Sequence, residues 1–240
     1  MRNALTIASK EFRSYFNSTI AYIFLVVFLV LNSVLFFELQ KFFVIGQATL
    51  RDFFGLAPIL LLFFIPAISM RMWAEERKMG TLETLMTLPV RDWEVVVGKF
   101  LAGFFFYLVA LVLTFPLPLI VNALGSPDSG AIFCGYLGLL FLGGSYLAIG
   151  LWMSSLTENQ IVAFIGAFVL CLVFFIIGVD LVLTSMPREL VPFFKGLSLG
   201  SHFSSMERGV IDSRDLIYYL SMIGFFLFLN VRSVESRRGQ

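Results

Sequence analysis

FLAGFFFYLVALVLTFPLPLIV, residues 100–121, runs without one charged side chain. A helix needs about 20 predominantly apolar residues to cross the hydrocarbon of a bilayer, and a helix satisfies its own backbone polar groups there. The stretch has that length. Reading outward from charge to charge, windows of the same kind fall at residues 20–37, 53–70, 131–153, 161–179 and 216–231. The windows at 53–70 and 216–231 are short, and Arg71 and Arg232 extend them by keeping their stems in lipid and their heads in water.

Composition points the same way. Of 240 residues, 59% are hydrophobic, 29 are Phe and only 14% are charged, roughly half the charge of an average soluble domain. A water-soluble fold has no means of covering that much apolar surface. The expected fold is an all-α membrane protein with six transmembrane helices, a single domain over residues 1–240. The net charge of +1 is too balanced to suggest nucleic acid as a partner.

Orientation follows from Lys and Arg, which concentrate in short cytoplasmic loops. With the first residue inside, the inner segments hold Arg2, Lys10, Arg13, Arg71, Arg77, Lys78, Arg91, Lys99, Arg232, Arg237 and Arg238, eleven in all. The outer segments hold six: Lys41, Arg51, Arg188, Lys195, Arg208 and Arg214. The split places both termini in the cytoplasm, as an even number of spans requires.

Residues 1–19 do not read as a signal peptide, because Lys10, Glu11 and Arg13 crowd the first span and no small-residue cleavage site follows it. Leu5, Ala8, Phe12 and Phe16 recur at helical spacing, with Asn3, Thr6, Lys10 and Arg13 turned elsewhere. The pattern describes a helix lying in the membrane interface. Asp128 and Ser129 precede the fourth span, Thr157 and Gln160 have capping-box spacing before the fifth, and Asp92 is placed to cap the helix leading into the third. Gly143, Gly144 and Gly150 lie within the fourth span, where small residues let helices approach closely. Residues 180–215 are broken by Pro187, Pro192, Gly196 and Gly200, so short helical pieces folded back on the outer surface are expected, one from Ser201 towards Arg208.

Catalytic chemistry finds few partners. His202 is the only histidine and sits in the outer segment, away from Ser145, so no Ser/His pair forms within the spans. Asp180 lacks the second intramembrane Asp that a two-carboxylate mechanism needs. Cys134 and Cys171 both fall in spans and read as small buried hydrophobes, too few for a thiolate metal site. No G-x-x-x-x-G-K-[ST] loop occurs, so ATP is not bound by that route. The polar residues inside spans are Asn32, Ser33, Thr114, Asn122 and Asn230, none ionisable, which weighs against an ion-driven carrier.

Between the second and third spans lies a polar insert, residues 71–99, far longer than the few residues needed to turn the chain. Gly80 and Pro89 bracket TLETLMTL, which as a helix spans about 12 Å. Leu82, Leu85 and Met86 share one face, with Glu83 and Thr87 on the other. Isolated helices below about 12 residues are marginal in water, so this one needs a surface to dock into.

The same insert, with Glu75-Glu76-Arg77, Gly80-Thr81, Glu83, Leu85, Pro89-Val90 and Gly98-Lys99, resembles the signature of the ABC-2 family of ABC transporter permeases. Residues 201–238, SHFSSMERGVIDSRDLIYYLSMIGFFLFLNVRSVESRR, resemble its gliding-motility-associated branch. The resemblance implies the membrane half of an ATP-driven exporter in the inner membrane: six helices, an amino-terminal interfacial helix, a cytosolic coupling helix between spans two and three, and re-entrant helices before span six. It implies two copies of a separate ATPase subunit that carry ATP and Mg, with no catalytic, cofactor or metal site in this chain. A second permease subunit, identical or related, is implied as well, and there is room for an accessory periplasmic or extracellular protein. Glu75, Glu76, Arg77, Gly80, Thr81, Leu82, Glu83, Leu85, Met86 and Pro89 would then form the ATPase-coupling segment, its apolar residues docking and its charges setting orientation. Two other classes compete: a membrane scaffold that recruits a cytosolic protein without transport, and a secondary transporter.

Overall fold

The structure, a computed structural model, describes residues 2–39, 42–81, 90–185 and 187–238. Every regular element among them is helical. In chain order they are α1 (Arg2–Phe16), α2 (Thr19–Val34) passing into a π-helical turn (Leu35–Leu39), α3 (Phe42–Ile45), α4 (Arg51–Ser69), α5 (Arg71–Lys78), α6 (Asp92–Leu113) and α7 (Pro116–Leu124). There follow α8 (Ser129–Leu156), α9 (Gln160–Ile176), α10 (Asp180–Leu183), α11 (Val191–Leu197), α12 (Leu199–Glu207) and α13 (Ser213–Arg238).

Five stretches are long and apolar enough to cross a membrane: Ala21–Leu39, Arg51–Lys78, Asp92–Leu124, Ser129–Leu156 and Ser213–Ser236. The apolar α9, at 17 residues, meets the lower limit of about 17 for a span. Lipid-facing side chains such as Ile23, Val26, Ile161, Ile165, Ile217 and Phe228 are exposed, which a bilayer tolerates and water does not.

Helix α8 is the axis of the bundle, packed against α4, α6, α9, α12 and α13. Its glycines make this possible. A Cβ at Gly143 would lie 2.4 Å from the Tyr107 ring of α6, and one at Gly150 would lie 2.0 Å from the Ser69 hydroxyl of α4. Neighbouring backbones therefore come close enough for direct polar contact: the Tyr107 hydroxyl donates to the Leu139 carbonyl at 2.6 Å. Cys134 and Cys171 are both buried and unbonded to one another.

Two spans are broken near their ends. In α4, Pro66 lacks the N–H that would bond the Leu62 carbonyl, while its own carbonyl accepts from both the Met70 amide and the Ser69 hydroxyl; a turn at Met70 separates α4 from α5. The third span turns at Thr114 and Phe115 and restarts with Pro116 in the first turn of α7, where a missing N–H costs nothing.

Asp128 caps α8 as expected, accepting from the Gly130 and Ala131 amides at 2.8 and 3.3 Å. Two other caps differ from expectation. Asn159, not Thr157, caps α9 by accepting from the Ile161 amide at 2.9 Å; Thr157 instead accepts from the Asn159 amide and closes the turn between α8 and α9. Asp92 is the first residue of α6 rather than its cap, and Glu94 reaches back to accept from the Arg91 amide at 3.3 Å.

At the end of the bundle remote from α5, the segment before α13 forms α10, α11 and α12. Helix α12 starts at Leu199 rather than Ser201, because the Ser198 hydroxyl accepts from the Ser201 amide and donates to the Phe175 carbonyl. Leu199, Phe203 and Met206 are buried against α8. The hydroxyls of Tyr218 and Tyr219 on α13 donate to the carbonyls of Leu197 and Leu199. His202 stacks on Tyr218 at 4.0 Å and places Nδ1 2.6 Å from Asp215 Oδ1, so it is a structural clasp within that end.

Candidate functional site

The described polar residues of 71–81 and 91–99 gather at one end of the bundle, where α1, α5, the start of α6 and the end of α8 meet. Helix α5 exists because α8 supplies its missing cap. The Ser154 hydroxyl accepts from the Trp73 and Ala74 amides, each at 3.1 Å, and donates to the Met70 carbonyl at 2.8 Å. Free amides at a helix start need such a partner when buried, and Ser154, Trp73 and Ala74 are all buried. At its other end α5 stops at Gly80. Its φ of +68 is the left-handed conformation in which glycine avoids a Cβ clash, and the Thr81 hydroxyl donates back to the Glu76 carbonyl at 3.3 Å.

Helix α1 lies along α6. A Cβ at Gly98 would lie 2.8 Å from the Ile7 side chain and 2.9 Å from the Ala4 carbonyl, so Gly98 is the groove into which α1 fits. Asn3 donates to Glu94 at 3.1 Å. The inward face of α1 is Ala4 and Ala8, with Ile7 and Tyr15 packed beside them, whereas Leu5 is 60% exposed. The apolar stripe read from the sequence thus serves two surfaces: small residues for close helix contact and Leu5 outward.

Lys99 is the centre of this end. Its side chain is 1% exposed, 2.6 Å from Glu76 and 3.5 Å from Glu11, with the ammonium 5.0 Å above the Trp73 ring. One buried cation therefore joins α6 to α5 and to α1. A charge taken out of water demands such company: removing one partner of a buried pair costs about 3–5 kcal/mol, although the intact pair adds little over an apolar substitute. Burial, reinforced by the Glu11 carboxylate, also pushes the Tyr15 hydroxyl far above the usual tyrosine range, so Tyr15 stays neutral and stacks on Phe106 at 5.0 Å.

Of the residues read from the sequence, Glu76 turns inward to Lys99, and Glu75 pairs with Arg71 at 2.8 Å within one helical turn. Arg77 is half-buried, while Gly80 and Thr81 are exposed at the end of α5. Leu82, Glu83, Leu85, Met86 and Pro89 lie outside the described residues. Lys99 entered the sequence reading as one of the inner-side cations and as part of a motif, and its place between two carboxylates was missed. The available signal was a lysine standing at the threshold of an otherwise charge-free window. Glu11 and Ser154 carried no local signal at all. Among the described residues, no three His, Cys, Asp or Glu side chains are grouped to hold a metal.

Apolar helices long enough to cross a membrane, tied together at one end by a buried lysine between two carboxylates, form a membrane domain. The chain belongs to the ABC-2 family of transporter proteins, whose profile, described as "ABC-2 family transporter protein", matches residues 5–208. Over 96 residues, 40% of this chain and 26% of the relative, it is 32% identical to the "Probable multidrug ABC transporter permease YbhR" of Escherichia coli (strain K12). The protein of that name from Escherichia coli O157:H7 matches equally. The match spans about a quarter of the length of these curated relatives.

Proposed function

We propose that this transport permease is the membrane subunit of an ATP-driven exporter, and that residues 80–88 receive mechanical work from a separate ATPase. The observation that carries the reading is the clamp of Lys99 on Glu76 and Glu11. A force applied just beyond Gly80 reaches α5, and through the buried ion pairs it reaches α6 and α1 together, so spans two and three tilt as a unit. In this reading Leu82, Leu85 and Met86 dock in the ATPase, and Glu83 with Arg77 orients the contact. Glu76 serves inside the chain instead.

Two ATPase subunits, carrying ATP and Mg, and two permease subunits would complete the assembly. The end bearing α1 and α5 would face the cytoplasm, as the Lys and Arg distribution favours. An amphipathic cargo suits the apolar surfaces, in keeping with relatives named as multidrug permeases. Co-expression with the ATPase subunit tests the reading: replacing Leu82 and Leu85 by Asp is expected to abolish co-purification while leaving the permease folded. Undiminished assembly would remove the coupling role.

A further inference from the structure

His202 is the only histidine in the chain, and both of its ring nitrogens face oxygens of backbone or carboxylate. Nδ1 lies 2.6 Å from Asp215 Oδ1 on α13, and Nε2 lies 3.1 Å from the Gly196 carbonyl oxygen on α11. A carbonyl and an ionised carboxylate only accept, and a neutral imidazole has one N–H and one bare nitrogen. In that form the ring satisfies one contact and sets a lone pair against the other oxygen. Both contacts hold together only when the pair carries one further proton, on the ring or on Asp215 itself.

Two features put that proton on the ring. The imidazole stacks on Tyr218 at 4.0 Å, and an aromatic face attracts a cation. The Gly196 carbonyl belongs to the last turn of α11, where the carbonyls of a helix end carry partial negative charge. Asp215 is 6% exposed, and its buried Oδ2 has no hydrogen-bond partner among the described residues, so a cation at Oδ1 is the company its carboxylate has. Other groups near the ring are few. Helix α13 adds Tyr219 at 6.4 Å, and α11 adds Lys195, exposed beside Gly196. Helices α8 and α9, packed on α12, hold no Asp, Glu, Lys or Arg, and Tyr146 of α8 interacts with Tyr218 and Tyr219. Arg51 and Asp52 of α4 act on Glu207 and not on His202.

Helix α11 has little else to hold it. None of its side chains is buried, and Phe193 is 65% exposed. It packs on α10 and α12, and its end is fastened by the Gly196–His202 bond and by the Tyr218 hydroxyl donating to the Leu197 carbonyl. We infer that the charged His202 latches the α10–α11 segment onto α12 and α13, and that loss of its proton releases that segment. The neutral ring keeps its one N–H for the carboxylate, the stronger acceptor. The bond that fails is therefore the one to Gly196, and α12 stays joined to α13. The inference is independent of the ATPase, since every group in the latch belongs to this chain.

The test uses the full chain in nanodiscs with its one histidine labelled with nitrogen-15. Nuclear magnetic resonance follows the ring as pH is raised from about 5 until a bare nitrogen appears. Over the same range, double electron–electron resonance measures the distance between spin labels at Phe193→Cys on α11 and Ile217→Cys on α13, both exposed; Cys134 and Cys171 are buried and stay unlabelled. Two protonated nitrogens and a narrow distance distribution are expected at the acid end, and the distribution should broaden as the bare nitrogen appears. His202→Phe keeps the ring on Tyr218 but loses both polar contacts, and it should be broad throughout. A bare nitrogen at the acid end, a distribution indifferent to loss of the proton, or a His202→Phe variant as narrow as the acid wild type overturns the inference. Should His202→Phe fail to fold, the wild-type titration decides alone.

Discussion

Lys99 and Glu76 stand 2.6 Å apart, with the lysine side chain 1% exposed and the glutamate on a different helix. The pair ties the start of the third span to the extension of the second, and Glu11 adds the first helix to the same ammonium at 3.5 Å. Lys99→Met leaves two carboxylates facing one another without a counter-charge. A loss of about 3–5 kcal/mol is expected, read as a lowered thermal midpoint in detergent. The triple change Lys99→Met, Glu11→Gln, Glu76→Gln should recover most of it, because an apolar or neutral substitute removes the charge burial along with the attraction. A neutral Lys99→Met would mean that the ammonium is solvated.

Ser154 stands in for a helix cap supplied from another span. Ser154→Ala removes the acceptor of two buried amides, at a cost of about 1–3 kcal/mol. Hydrogen exchange should report it locally, with the Trp73 and Ala74 amides exchanging faster while those of α9 are unchanged. Protection retained at both amides would assign the start of α5 another partner.

Gly98 sets the approach of α1 to α6. In Gly98→Ala the new methyl meets Ile7 and the Ala4 carbonyl below 3 Å, and such overpacking typically costs about 1–3 kcal/mol. Because α1 is held along one face only, it is expected to lift rather than the bundle to distort. A spin-label distance between α1 and α6 should lengthen or broaden, with the distances between α8 and α9 unaltered.

Glu207, at the end of α12, is half-buried. Burial holds its carboxyl above the ordinary glutamate range, opposed by Arg51 and Arg208. A raised value in the folded state means that folding favours the protonated acid. That contribution is fully present below the ordinary glutamate value and is lost as pH rises through the raised one. Glu207→Gln cannot ionise and lacks this loss, so the variant should gain thermal stability over the wild type as pH rises from about 4 to 7. A difference that shrinks over that range would contradict the assignment.

The spans were legible in the sequence because the membrane enforces a simple rule on long segments: apolar residues, no charge, one helix. What the rule does not register is contact between distant residues. The turn at Met70 depends on Ser154, 84 positions away, and the inward turn of Lys99 depends on Glu11, 88 positions away. Local pattern placed Leu5 with Ala8 on one face, yet the close packing of Ala4 and Ile7 against Gly98 buries Ala4 and Ala8 and leaves Leu5 outside. Thr157 and Gln160 had capping-box spacing, but Asn159, two residues nearer the helix, holds the cap. The Gly80–Thr81 pair was legible as a boundary, since a left-handed turn favours glycine wherever it falls.

The central claim is that work enters through residues 80–88 and passes by way of α5 to the spans. ATP hydrolysis by the permease–ATPase complex in proteoliposomes, measured for the wild type and for the Leu82→Asp, Leu85→Asp double variant, tests it most directly. The account predicts that the permease alters the hydrolysis rate of the ATPase and that the double variant returns the rate to that of the ATPase alone. A rate equal to wild type in the double variant, with the complex intact, would contradict it.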